Sequence, residues 1–239
     1  MPSHAPARGR VEARRALTHA QAAAFYDRFA WLQDWQRWYE SPATEVLLRE
    51  GAFGDAHAVL ELGCGTGRLA ERLLARELPA DARYLGLDVS ARMVARTRRR
   101  LARFTTRSSV RQTDGSLRFP GETGTFDRVV AAYVLELLSD EDSELALEQA
   151  HRVLAPGGLL CVASLGEGVT RASRALCRAW SAVHRVHPVL VGGCRPVRLQ
   201  GRLAPSSWEI LHAETVVAFA VPTEVVVARS RDGGGGASR

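Results

Sequence analysis

Lysine and asparagine are absent from this chain of 239 residues, and isoleucine occurs once, at Ile210. All 32 cationic side chains are therefore arginines. That skew follows GC-rich coding, which raises Arg and Ala together, so the net charge of +6 does not by itself select a nucleic-acid partner. The densest basic run, Arg92, Arg96, Arg98, Arg99, Arg100, Arg103 and Arg107, falls on a helical stretch and reads as a solvated outer face. No apolar run approaches the roughly 18 residues of a membrane span. Met1 to Arg15 lacks the apolar core of a secretory signal. The four cysteines, Cys64, Cys161, Cys177 and Cys194, stand far apart with no Cys-x-x-Cys. They form neither a disulfide frame nor a zinc set, and fit reduced thiols in a cytoplasmic setting. His184 and His187 are three apart but have no carboxylate or cysteine nearby, so no metal is expected.

Hydrophobic residues make up 46% of the chain, enough for one α/β domain with extensions. Residues 1–20 show no apolar period and are expected to be loosely ordered. Residues 21–56 turn helical and aromatic, with Trp31, Trp35 and Trp38 on one helix face. Ser41-Pro42 predicts a break, with Pro opening a new helix. From 57 to 230 strand and helix patterns alternate: strands at 58–62, 83–88, 108–113, 126–132 and 158–164, helices at 66–77, 90–103 and 140–154. Pro156-Gly157-Gly158 is expected to stop the last of these helices. That succession implies a parallel sheet with right-handed crossovers. A helix at 170–185 and two β-rich runs, 207–220 and 223–230, follow. Val221-Pro222 is read as the turn of a closing antiparallel hairpin. Residues 231–239 form a Gly-rich tail.

The chemistry starts at Val59-Leu60-Glu61-Leu62-Gly63-Cys64-Gly65-Thr66-Gly67-Arg68. An apolar strand ends in a carboxylate, then Gly at every second position lets bare backbone approach a ligand before a helix opens. The spacing is G-x-G-x-G and not the G-x-G-x-x-G of dinucleotide sites, which points away from a pyrophosphate and towards S-adenosylmethionine. Asp88 closes the second strand, where a carboxylate can accept from both ribose hydroxyls or cap the helix near Ser90. Asp114-Gly115-Ser116 follows the third strand, and by itself is simply a turn. Ala131, Ala132 and Tyr133 end the fourth, the end at which open α/β sheets bind ligands. Asp127, at the opposite end of that strand, is read as shaping a turn.

Five segments, VLELGCGTGRLAERL, YLGLDVSARMV, VRQTDGSLRF, TFDRVVAAYVLELL and HRVLAPGGLLCVASL, stand in order over Val59–Ser164. Together they resemble the class I S-adenosylmethionine-dependent methyltransferases, most closely the small-molecule type that includes the ubiquinone/menaquinone-biosynthesis enzymes. The resemblance implies a Rossmann-like, doubly wound, seven-stranded sheet, mostly parallel with a C-terminal antiparallel hairpin. It implies a cofactor site made of Glu61, Gly63, Cys64, Gly65, Gly67, Asp88, Val89, Met93, Asp114, Gly115, Ser116 and Ala131. Within it Glu61 would attract the amino group, Asp88 the ribose and Asp114 the adenine amino group, with Gly86 as a further adenine neighbour.

The implied reaction is in-line displacement of a methyl group onto a small, apolar or aromatic acceptor, driven by positioning. A base is needed only if the acceptor must lose a proton. Tyr26, Tyr133, His184 and Glu136 remain candidates. The Tyr26-Asp27-Arg28-Phe29 run and its tryptophan face resemble the family's N-terminal cap; they can equally pack on the sheet or lie on a membrane surface. A nucleic-acid methyltransferase and a non-catalytic cofactor-binding subunit are the alternatives. Ala131-Ala132-Tyr133-Val134 stands in place of the tetrad of base-amino enzymes and disfavours the first.

Overall fold

The computed structural model describes residues 37–187, 191 and 193–231. Seven strands form one sheet in the order β3-β2-β1-β4-β5-β7-β6. The first five in that order, β3 (Ser108–Gln112), β2 (Arg83–Asp88), β1 (Ala58–Leu62), β4 (Phe126–Ala132) and β5 (Leu154–Leu165), run parallel. Then β7 (Val221–Ser230) pairs antiparallel with β5, and β6 (Trp208–Ala218) with β7. The order reverses between β1 and β4, so the crevice for a ligand lies outside their carboxyl ends. The expected fold class holds.

Alternating side chains divide the core into two layers. Val59, Tyr84, Val110 and Val130 point to one face and meet helices α1 (Arg37–Glu50), α2 (Arg68–Arg72) and α3 (Ala91–Arg100) through Leu47, Ala70 and Val94. Their neighbours Leu60, Leu87 and Val129 point to the other face and meet α4 (Asp140–Val153) through Ala146, Leu147 and Ala150. The cap of α4 follows from its sequence: Ser139 Oγ accepts from the Asp142 N–H, and Asp140, Glu141 and Asp142 crowd the positive end of the helix. The remaining helix, α5 (Arg171–Val186), is capped by Thr170 and Ser173. Among the described residues no helix is long and apolar enough to cross a membrane.

Several local expectations are corrected. Ser41-Pro42 does not break the chain, since α1 runs through Pro42. A proline there forgoes one backbone bond, and burial of Ala43, Val46, Leu47 and Leu48 against the sheet outweighs it. The helix expected at 66–77 is α-helical only over Arg68–Arg72 and widens into a π turn over Leu73–Glu77, where the Leu78 N–H reaches Leu73 O at 2.9 Å. Helix α4 ends at Val153, before Pro156-Gly157-Gly158, and β5 starts at Leu154; the register then shifts between Phe126 and Arg128. The hairpin turn is Phe219-Ala220, with φ of 51° and 66°, and not Val221-Pro222. Pro222 lies in β7, where its carbonyl accepts from the Gly166 N–H at 2.9 Å. A proline near the start of a strand loses little. The arginine run also differs in part from a solvated face. Arg98 donates to Val110 O at 2.8 Å, Arg100 to Thr66 O at 2.8 Å, and Arg107 to Pro79 O at 2.9 Å.

Of the aromatic N-terminal segment, residues 37–50 fall within the described chain, and 43–50 pack on the sheet. Tyr26, Trp31 and Trp35 lie outside the described residues. The end of α1 is fastened by Arg128, 7% exposed, which donates to Gly51 O at 2.8 Å, Ala52 O at 2.6 Å and Asp127 O at 2.8 Å. Arg128→Ala would leave these carbonyls without their charged donor. The expected loss is about 3 kcal/mol in urea unfolding; a loss below about 0.5 kcal/mol would show the clamp to be idle.

Candidate functional site

The glycine loop leaves β1 at the strand-order reversal. Gly63, Gly65 and Gly67 have φ of 68°, 51° and 75°, in the left-handed region. At two of them space is lacking as well. A Cβ on Gly63 would lie 2.9 Å from Val134 Cγ2, and one on Gly67 would lie 2.6 Å from Thr97 Cγ2. The loop is thus pressed between the chain leaving β4 and helix α3. From α3, Thr97 Oγ1 donates to Gly65 O at 2.7 Å, and Arg100 donates to Thr66 O.

Asp88 ties this loop to β2. Its Oδ2 accepts from the Gly65 N–H at 2.7 Å and its Oδ1 from the Ser90 N–H at 2.9 Å. Ser90 in turn caps α3, its Oγ accepting from the Met93 N–H. The helix-capping and loop-holding roles therefore coexist at this turn.

Beneath the loop, Glu61 is 3% exposed and accepts a hydrogen bond from Tyr84 Oη at 2.6 Å. Burial pushes its carboxyl up to about 8 against the smaller opposing effect of the Tyr84 hydrogen bond. Burial likewise raises the Cys64 thiol and the Tyr84 phenol. Gly86 sits against this cluster, since a Cβ there would lie 2.8 Å from Tyr84 Oη and 3.0 Å from Cys64 Sγ. Its small size serves close packing.

Because Glu61 has a folded pKa above its ordinary value of 4.5, the folded state holds more protons than the unfolded one between about pH 4.5 and 8. Its contribution to stability is full below that window and is lost as pH rises through it. Glu136, whose burial lifts it to about 7, acts in the same direction. The urea midpoint is expected to fall from pH 5 to pH 8, and Glu61→Gln to flatten that fall. An unchanged slope in Glu61→Gln would contradict the buried, neutral carboxyl.

The third segment joins through Thr113, whose N–H donates to Asp88 O at 2.9 Å. Asp114 is exposed, and its Oδ1 accepts from the Ser116 N–H at 2.9 Å. The Ser116 hydroxyl and N–H hold its carboxyl below the usual range. Gly115 turns the chain with φ of 87°. Val89 is half-buried at the exit of β2, and Met93 is buried in the first turn of α3. Ala131 pairs in register with Leu62, beside the glycine loop. All the residues expected at the cofactor thus gather at the carboxyl ends of β1 to β4. Asp127 lies at the other end of the sheet, accepting from the N–H groups of His57 and Ala58 at 2.7 and 3.1 Å.

The base candidates are less unified. Tyr133 follows β4 in a left-handed conformation, φ 57°, which costs a non-glycine residue about 1–3 kcal/mol. Its N–H donates to Ala163 O at 2.7 Å, and its hydroxyl lies 3.3 Å from Thr223 Oγ1. Glu136, 2% exposed, accepts from Ser164 Oγ at 2.7 Å between the ends of β4 and β5. Residues 193–200 close over it. Arg195 N–H donates to Glu136 O, Val197 N–H to Leu165 O, and Leu199 N–H to Glu224 Oε2. Asp140, held down to about 2 by Arg195 and then Arg202, anchors this strap. His184 is on α5, where its Nε2 lies 3.2 Å from Gly193 O and burial lowers its pKa. Among the described residues no hydrogen bond joins it to Tyr133 or to the glycine loop. Tyr26 lies outside the described residues.

Sequence reasoning did not find Tyr84, Thr97 or Arg100. Tyr84 could have been found from strand alternation, which places it on the face of Glu61, Gly86 and Asp88. Thr97 and Arg100 carry no such signal, because their partners are loop carbonyls.

The order of the sheet and the loop at its reversal define an α/β protein of nucleoside-binding type. Residues 59–158 match the family described as a methyltransferase domain. The malonyl-[acyl-carrier protein] O-methyltransferase of Geobacter sulfurreducens is 33% identical over 175 residues, covering 72% of this chain and 61% of that protein. The N-methyltransferase NodS of Bradyrhizobium japonicum, solved in complex with S-adenosyl-L-homocysteine, superposes with a TM-score of 0.62 at 25% identity, over 80% of this chain and 87% of that one. The [4+2]-cyclase SpnF shares the fold with a TM-score of 0.69 at 18% identity, over 90% of this chain and 97% of that one. The chain spans about half the length of several curated relatives it matches, 62%, 48% and 44% in three cases. Residues 59–158 are a methyltransferase domain, and the chain is similar in sequence and fold to S-adenosylmethionine-dependent methyltransferases.

The donor set fits that family's cofactor. Glu61 and Asp88, two carboxyl groups, stand on either side of a loop that at Gly63 and Gly67 has no room for a Cβ, so a cationic, hydroxyl-bearing nucleoside could lie against bare backbone there.

Proposed function

We propose that the chain transfers a methyl group from S-adenosylmethionine to a small, apolar or aromatic acceptor. The observation that carries this reading is the place of Asp88 at the strand-order reversal, where its Oδ2 holds the Gly65 N–H of the glycine loop and its Oδ1 the Ser90 N–H that opens the next helix, so that a carboxylate borders the loop where a ribose would lie. When bound, the cofactor supplies a methyl group on a sulfonium sulfur, an electrophile with its own leaving group. The chain's residues bind and orient. Glu61 meets the cofactor's ammonium, whose positive charge would draw its carboxyl into the ionised form, Asp88 holds its ribose, and Val89 and Met93 flank its adenine. The Asp114-Gly115-Ser116 turn offers a carboxylate to the adenine amino group and backbone N–H groups to the ring. Gly63, Cys64, Gly65 and Gly67 form the floor, and Ala131 leaves room at the end of β4. Holding acceptor and methyl in line supplies about 7–11 kcal/mol in favourable cases, so rate does not require a strong base. Where a proton must leave, Tyr133 and Glu136 are the described candidates at the sheet's carboxyl end.

The acceptor is assigned by class alone, because the relatives differ in theirs. Names such as malonyl-[acyl-carrier protein] O-methyltransferase and demethylmenaquinone methyltransferase support methyl transfer and diverge on where the methyl goes. Incubation of the full chain with methyl-labelled S-adenosylmethionine and a panel of phenolic, quinol and carboxylic acids tests the reading. Label is expected in one acceptor class together with stoichiometric S-adenosylhomocysteine. Tight cofactor binding with no transfer to any of them would favour a non-catalytic subunit.

A further inference from the structure

We propose that the outward face of α5 is a docking surface for an acidic helix of a partner protein. Three features of α5 lead there. It is fixed in rotation: Thr170 and Ser173 cap it, Trp180 Nε1 donates to Cys194 O at 2.9 Å, and Cys177 Sγ lies 3.6 Å from Gly166 O. Its inner face is therefore committed, and its outer face is fixed in turn. Arg171, Arg174, Arg178 and Arg185, all exposed, fall within about 60° of one another at 3.6 residues per turn, a stripe about 21 Å long. Beside them runs a second exposed stripe of small apolar residues, Ala175, Ala179, Ala182 and Val186, the last 70% exposed. No acidic residue lies anywhere in α5.

The contrast with α3 separates this stripe from a mere excess of arginine. In α3 and the turn after it, Arg98, Arg100, Arg103 and Arg107 are taken up by carbonyls and by Glu71. On α5, Arg174 reaches Gly168 O at 3.3 Å, and the other three make no ion pair among the described residues. Four like charges on one stripe repel one another, and that repulsion is relieved by a surface of opposite sign.

The second stripe decides the class of partner. An interfacial membrane helix turns bulky residues to the lipid, whereas the Trp180 and Leu176 of α5 are turned inward and half-buried. A phosphate backbone would pair with the arginines and leave the alanines unused. A second helix uses both: small side chains admit an axis about 8–10 Å away, and guanidinium groups pair with its carboxylates. Helix α5 also follows β5 at the sheet's carboxyl end, so a docked partner sits beside the acceptor side. That last consequence rests on the methyl-transfer reading; the surface itself does not.

The test uses the full chain and fluorescence anisotropy, with a labelled synthetic helical peptide carrying a Glu stripe beside an Ala/Leu stripe. A permuted peptide of the same composition, its Glu scattered around the helix, is the control. Arg171→Gln, Arg174→Gln, Arg178→Gln and Arg185→Gln combined are expected to weaken the striped peptide about tenfold. Ala175→Trp with Ala182→Trp, which blocks close approach and keeps every charge, is expected to weaken it to a similar degree. Both variants should keep their circular dichroism and cofactor affinity. Equal binding of the permuted peptide, or no loss in either variant, overturns the proposal. Arginine-dependent binding that is tighter to phosphatidylcholine–phosphatidylglycerol vesicles or to duplex RNA than to the striped peptide overturns it too. No methyl donor enters the assay, so its failure leaves the methyl-transfer reading intact.

Discussion

Asp88→Ala is expected to weaken binding of both S-adenosylmethionine and S-adenosylhomocysteine by about a hundredfold. Two losses combine. The ribose loses charge-assisted acceptors, each worth about 1.5–3 kcal/mol. The Gly65 and Ser90 N–H groups also lose the oxygens they donate to, at 2.7 and 2.9 Å, so the loop is no longer held against β2. Asp88→Asn separates the two. Its amide keeps one acceptor oxygen but sets an NH2 against an N–H donor, and an intermediate loss follows. Calorimetric titration of the three proteins gives the order wild type, Asn, Ala. A fall in thermal stability with unchanged affinity would mean that Asp88 holds the loop and does not touch the ligand.

Gly67→Ala is expected to destabilise the fold by about 2–4 kcal/mol and to reduce cofactor affinity with it. The left-handed backbone, φ 75°, costs an alanine about 1–2 kcal/mol. The remainder comes from the new Cβ, 2.6 Å from Thr97 Cγ2 in a helix packed on the sheet. Thr97→Ser removes that methyl while keeping the hydroxyl that donates to Gly65 O. Adding it to Gly67→Ala should therefore restore part of the loss, giving a coupling of about 1 kcal/mol in a double-mutant cycle. Purely additive effects would mean that the backbone alone objects to the side chain, and that α3 does not press on the loop.

The centre of the sheet was legible because β1, β4 and β5 contain short apolar runs, and three of the parallel strands are followed or closed by a marked residue: Gly63 after β1, Asp88 at the end of β2, Asp114 after β3. The errors fell where a single residue type was weighed without its pairing partner. Pro222 reads as a breaker until β5 is known to lie beside it, using its carbonyl. The true turn, Phe219-Ala220, contains neither glycine nor asparagine and so gives no turn signal. Pro42 was overridden by the burial of the residues that follow it. At the site, the residues expected to face the ligand were singled out by type and spacing, and they lie together at one end of the sheet. The supports were not: Tyr84 depends on strand register, and Thr97 and Arg100 bind backbone oxygens, which every residue has. Arginine misled in the same way. Three of the seven arginines in the densest run are held by carbonyls of other elements, whereas the sparser run on α5 lies along one exposed stripe.

The most direct measurement is calorimetric titration of the full chain with S-adenosylhomocysteine, repeated with NADH present in excess. One site per chain, competed by S-adenosylmethionine and unmoved by NADH, is the expected result. Absence of binding, or displacement by NADH, would contradict the assignment of the 63–67 loop, Glu61 and Asp88 to a sulfonium nucleoside.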